Sequence, residues 1–251
     1  MKKPIFVTGS SEFPLFYFLD YDSMCAQFYY DIPINLKEVY EVCNIQIKNF
    51  SETLILCIDK KYKDKFKVQK SFYESNLGIM KSHLQKCIRR GETQLAIQTG
   101  KYMIEKGQLG ELLRRLYIIC IEDTILNKHL VTLTWLMCVG NKNYIFDDNM
   151  NSWILGFVKQ VTEDKFYDHL DYGVEINSVS KKDLINYLKK VNKNSLHKDL
   201  IMSLIVRKSY GGMSGDMKMI SRYIILWMKR FEEGAGIHLK HLVEMEGVST
   251  P

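Results

Sequence analysis

A chain of 251 residues with 46% hydrophobic and 25% charged residues can bury a substantial core, which excludes wholesale disorder. Only 4 prolines and 15 glycines favour long helices over a loop-rich all-β fold. The formal charge of +6 is enough to draw in nucleic acid or another anionic surface, and equally suits a chain with no such partner.

The segment Met1–Asp22 holds an apolar stretch, but Thr8, Gly9, Ser10, Ser11, Glu12 and Pro14 interrupt it. No small-residue cleavage site follows, so export is not expected. Val7–Ser11 has one glycine after an apolar run and reads as a turn, not a phosphate cradle. Phe13–Leu19 and Ser51–Asp59 are short apolar runs of β-formers, with the length of buried strands. Ile34–Ile47 reads as one helix with Leu36, Val39, Tyr40 and Cys43 on one face. In Lys60–Lys70, the residues Lys61, Lys63, Lys65 and Lys67 alternate with Tyr62, Asp64 and Phe66. As a strand this places lysines on one face and aromatics on the other. Such a face would track a phosphate backbone or guard a sheet edge. Residues 1–75 are therefore expected to form a small α+β module.

From Asn76 the periodicity is helical. Leu77, Met80, Leu84, Cys87 and Ile88 line one face of a first helix, stopped by Gly91. Leu95, Gln98, Tyr102 and Met103 continue to Gly107. Leu109, Leu112, Leu113, Leu116, Ile119 and Cys120 form a third face. Asn127 is the expected cap of a fourth helix ending at Gly140, and Asn149 or Asn151 that of a fifth through Trp153, Phe157 and Val161. Ser180 with Asp183 forms a capping box before Leu184, Tyr187 and Leu188. Ser195 caps a further helix, and Gly215 precedes the last strong one, after which the tail turns polar. No fixed repeat is visible, so residues 76–251 are expected to pack as an irregular helical bundle, and the whole as a mainly α fold.

No Walker loop, GxGxxG, HExxH, GxSxG or CxxC occurs, so no catalytic residue, cofactor or metal is assigned. The six scattered cysteines suit a reducing, intracellular setting, cytoplasmic or nuclear. With no apolar run of 18 residues, no membrane span is expected. His238, His241 and Glu244 share a helical spacing but read as a solvated face. Two Arg pairs stand out, Arg89–Arg90 and Arg114–Arg115. Guanidinium forks suit phosphate, and a basic patch forms if the two helices are neighbours. Glu122 and Asp123 sit unfavourably at a helix C-terminus, which points to a structural ion pair with one of those arginines. Gly211, Gly212 and Gly215 enter the last helix beside Arg207 and Lys208, where backbone amides are placed to hold an anion or partner group.

Ser82–Asp123 carries a resemblance. An Arg-Gly turn, a helix with a central alanine and an Arg-Arg-Leu helix ending in Glu-Asp are matched by Ile88, Arg89, Arg90, Gly91, Ala96, Leu113, Arg114, Arg115, Leu116, Glu122 and Asp123. This segment resembles the C-terminal helical region of replication-associated recombination ATPases, the family that includes the Werner-helicase-interacting protein. The resemblance implies an all-helical, clamp-loader-collar-like domain that mediates oligomerisation. After Asp123 the chain reads Thr124-Ile125-Leu126-Asn127, where that family has a Gly- and Ala-containing continuation. The abundance of Lys, Ile, Tyr and Asn suggests an AT-rich genome, such as those of some large DNA viruses. The leading expectation is a non-enzymatic accessory protein of DNA replication or repair, binding a protein partner or itself, and DNA, through Arg89, Arg90, Arg114, Arg115, Lys61, Lys63, Lys65, Lys67, Arg207 and Lys208. A structural assembly protein with no nucleic-acid role, or an enzyme of another class, stays open.

Overall fold

The structure is a computed structural model that describes residues 12–32, 38–48, 50–68, 76–164, 166–168, 179–192, 195–234 and 242–244. It is mainly α, an irregular helical bundle preceded by a small N-terminal sheet. β1 (Phe16–Asp20) and β2 (Cys25–Tyr29) form one antiparallel hairpin, and β3 (Val39–Ile47) and β4 (Glu52–Asp59) a second. Parallel pairing of β1 with β4 joins them in the order β2-β1-β4-β3. The strands expected around Phe13–Leu19 and Ser51–Asp59 are β1 and β4.

The helix expected over Ile34–Ile47 is corrected: its described part is β3. Val39, Val42, Ile45 and Ile47 are β-branched, and exposed Asn44 and Gln46 alternate with buried Cys43, Ile45 and Ile47. That two-residue period belongs to a half-buried strand. The strand expected over Lys60–Lys70 is corrected as well. Lys60–Lys65 is a 3-10 helix, begun where the Asp59 carboxylate accepts the Lys61 N–H at 2.9 Å. The strand β5 covers Lys67–Val68 and pairs with β6 (Tyr144–Ile145). Phe66 is buried edge-on against Trp135, so the aromatic drives the local bend.

The helices are α1 (Leu77–Arg89), α2 (Thr93–Glu105), α3 (Leu109–Asp123), α4 (Leu130–Gly140), α5 (Asp148–Glu163), α6 (Lys181–Lys190), α7 (Leu196–Ser209) and α8 (Ser214–Glu232). Gly91 and Gly107 close α1 and α2 in the left-handed region, with φ +70° and +68°. Ser180 and Asp183 form the reciprocal capping box of α6, and Ser195 caps α7. Two expected caps differ. Asp147, not Asn149 or Asn151, caps α5 by accepting the Met150 N–H. Asn127 holds the turn before α4, accepting the His129 N–H at 2.9 Å. On α2 the buried face is Ala96, Thr99, Gly100 and Met103, while Leu95 and Tyr102 are exposed. Small residues let α5 approach closely: a Cβ on Gly100 would stand 3.3 Å from Leu155 Cδ2. In the tail, β8 (Leu242–Glu244) pairs antiparallel with β7 (Phe166–Asp168).

All eleven residues of α4 are buried, as expected of a helix that is apolar on every side. It lies between α3, α7 and the inner face of the sheet. Tyr17, Leu19, Leu54, Leu56 and Ile58 of that face belong to the same hydrophobic core as the helices. The outer face carries a smaller cluster around Phe16, Phe18 and Cys57. All six cysteines are free.

The edge strand β2 is closed by side chains. Thr132 of α4 accepts the Ala26 N–H and donates to the Met24 carbonyl, both at 3.0 Å. On α7, Asp199 accepts the Phe28 N–H at 3.3 Å and Lys198 donates to the Phe28 carbonyl at 2.8 Å. Lys198 and Asp199 pair with each other at 3.2 Å and are 0% and 4% exposed. Burial pushes the Asp199 carboxyl up to about 6.

Candidate anion-binding site

A polar seam runs between α1 and α3. Lys81, Gln85 and Arg89 recur at intervals of four on α1, so they share one face. They meet Glu111, Arg115, Glu122 and Asp123 of α3. At the closed end, Arg89 reaches Asp123 at 2.6 Å and Glu122 at 3.0 Å. Gln85 donates to the same two carboxylates at 2.9 and 2.8 Å and accepts from Arg115. Burial raises the Asp123 carboxyl above its usual range, with Arg89 and Gln85 opposing that rise. Asp123 is buried and Arg89 half-exposed, so the arrangement is an interhelical clamp.

The other end of the seam opens into a cleft of about 430 Å³. Lys81 from α1, Arg114 and Arg115 from α3, and Arg207 from the last turn of α7 line it, with Glu111 and Asp216. Lys81 binds Glu111 at 2.9 Å, and Arg114 pairs with the same carboxylate. Four cations thus face two carboxylates. Burial, together with the Arg114 and Arg115 charges, lowers the Lys81 pKa.

Arg207 is 3% exposed. Its Nη1 donates to the Gly211 carbonyl at 2.9 Å, while its Nε, like that of Arg115, is a buried donor without a hydrogen-bond acceptor. Asp216 is a Coulombic neighbour of Arg207, but the two form no ion pair among the described residues. Gly211, Gly212 and Met213 form one wall, leading into α8. Met213 is the N-cap of α8 and supplies no capping hydrogen bond, so the first-turn amides lack a cap from that position. Gly212 has φ +153°, and a Cβ there would stand 3.1 Å from Met217 Cε and 3.8 Å from Arg207 Nη2. A larger residue would crowd the cleft floor.

The arginine and lysine candidates therefore fall in separate places. Arg114, Arg115 and Arg207 converge on the cleft. Arg89 is held in the clamp by Glu122 and Asp123, and Arg90 is exposed just beyond α1. Lys208 is half-buried and does not line the cleft. Lys61 binds Asp22 at 3.2 Å and Lys65 binds Asp147 at 3.1 Å. Lys63 and Lys67 are exposed. Lys81 is absent from the expected set, although its spacing from Gln85 and Arg89 marks it, and α8 begins at Ser214, so Gly215 lies inside the helix and not before it.

A larger recess of about 580 Å³ lies beside β2, where Lys61 is tied to Asp22. Among the described residues no cluster of His, Cys, Asp and Glu has metal-site geometry. His238, His241 and the Glu244 side chain lie outside them, as does Val7–Ser11. No helix among the described residues is long and apolar enough to cross a membrane. No family model, curated protein or solved structure matches the chain.

Proposed function

We propose that the chain is a non-enzymatic accessory protein of DNA replication or repair, and that it contacts DNA through the cleft at the start of α8. The observation that carries this reading is the convergence of Lys81, Arg114, Arg115 and Arg207 on one cleft with only Glu111 and Asp216 to balance them. Guanidinium groups match phosphate oxygens in a planar fork, and a helix N-terminus adds aligned amide donors. The resemblance of Ser82–Asp123 to the collar-like region of replication ATPases supports a protein partner or self-association as the setting. The residues of that resemblance lie on α1 to α3, of which α1 and α3 build the clamp and line part of the cleft.

Fluorescence anisotropy with short labelled oligonucleotides tests the proposal. Affinity is expected to fall with salt on a log–log slope of about −0.7 per neutralised phosphate for single strands and about −0.9 for duplex. Arg114→Ala is expected to weaken binding roughly tenfold or more, the loss of one charge-assisted contact. Salt-independent binding, or none at low salt, overturns the DNA contact.

A further inference from the structure

We infer that the cleft holds a terminal phosphate monoester, the group at a strand end or on a nucleotide, and not the phosphodiesters inside a strand; this rests on the DNA reading and names the part of the DNA that is gripped. The first support is depth. Arg207 is 3% exposed, and the Nε donors of Arg207 and Arg115 are buried without an acceptor. A group that pairs with Arg207 from the cleft this residue lines must project inward on a single attachment. An internal phosphodiester has a sugar on both sides and cannot be inserted that way. A terminal phosphate can.

Charge is the second support. Four cations against two carboxylates leave an excess of two in the cleft. A phosphate monoester carries close to two negative charges at pH 7 and three acceptor oxygens, whereas a phosphodiester carries one charge. The third support is the donor set. Arg207 lines the cleft together with the start of a 19-residue helix whose N-cap, Met213, offers no acceptor and whose first-turn acid, Asp216, is one of the two carboxylates already counted. Amide donors and the positive helix end both favour a multiply charged oxyanion.

The test compares one single-stranded oligonucleotide in three forms: 5′-phosphorylated, 3′-phosphorylated, and with hydroxyls at both ends. One phosphorylated form is expected to bind at least tenfold more tightly than the hydroxyl form. Arg207→Lys, which keeps the charge but removes the fork, and the half-exposed Arg114→Ala are each expected to abolish that preference while thermal unfolding shows a folded chain. The preference should also fade as pH drops through about 6, where the monoester regains a proton. Equal binding of all three forms overturns the inference and leaves the DNA contact standing. If no oligonucleotide binds but a nucleoside monophosphate does by calorimetry, the monoester site holds and the DNA contact falls. If neither binds, both fall. A phosphoserine peptide that outcompetes the phosphorylated oligonucleotide overturns the nucleic-acid assignment.

Discussion

Lys198 and Asp199 show what a buried charge does when every partner is in place. Asp199 accepts from Lys198 and the Phe28 amide, and Lys198 also donates to the Phe28 carbonyl. Removing one member strands the other in a low-dielectric site, so Asp199→Ala is expected to cost about 3–5 kcal/mol by urea denaturation. The pH dependence has a definite sign. The folded-state pKa of Asp199 is raised from the ordinary 3.8 to about 6, so the folded chain holds more protons than the unfolded chain between those values. The contribution of this group to stability is complete below about 4 and is lost as pH rises through about 6. Relative to Asp199→Asn, the wild type should therefore lose stability across that window and show no further change from this group above it. A flat difference between pH 4 and pH 7 would refute the assignment.

At the scale of elements, the α1–α3 seam separates scaffold from site. Its closed end binds Arg89 to Glu122 and Asp123, and its open end presents Arg114 and Arg115 to the cleft. Arg89→Ala leaves the buried Asp123 with Gln85 as its remaining hydrogen-bond partner. A loss of about 1–3 kcal/mol in unfolding free energy is expected, with DNA affinity changed far less than by Arg114→Ala. Much of this was legible beforehand. The helical faces of α1 and α3, the glycine stops and the two serine caps all follow from local spacing. Convergence of Arg207 with Arg114 was not legible, because residues 93 positions apart meet only through the packing of α7 against α4 and of α8 against α3. β3 was misread because its first half fits a helical face. The deciding alternation of Asn44 and Gln46 with Ile45 and Ile47 occupies only the end of the segment. The Lys61–Lys67 alternation misled for another reason: Asp59 caps a tight turn there, and the local hydrogen bond outweighs the pattern.

Across the whole molecule, the sheet and the bundle are not energetically separable. Tyr17 donates its hydroxyl to the Val131 carbonyl of α4, and the Trp135 indole donates to the Tyr17 carbonyl at 2.8 Å. Unfolding is expected as a single transition with coincident midpoints by far-UV circular dichroism and by tryptophan fluorescence; two resolved midpoints would show that the sheet melts alone. The closed edge of β2 has a further consequence, for assembly. An open edge is a template on which a second chain can add a strand, the route to fibrils and to strand exchange. Here the Ala26 N–H, the Met24 carbonyl and both backbone groups of Phe28 are already occupied by Thr132, Lys198 and Asp199, and the opposite edge is bent by the bulge between Glu41 and Cys43, where Tyr144 donates to the Val42 carbonyl. Strand addition to the four-stranded sheet would first have to displace these side chains, so both of its edges resist growth.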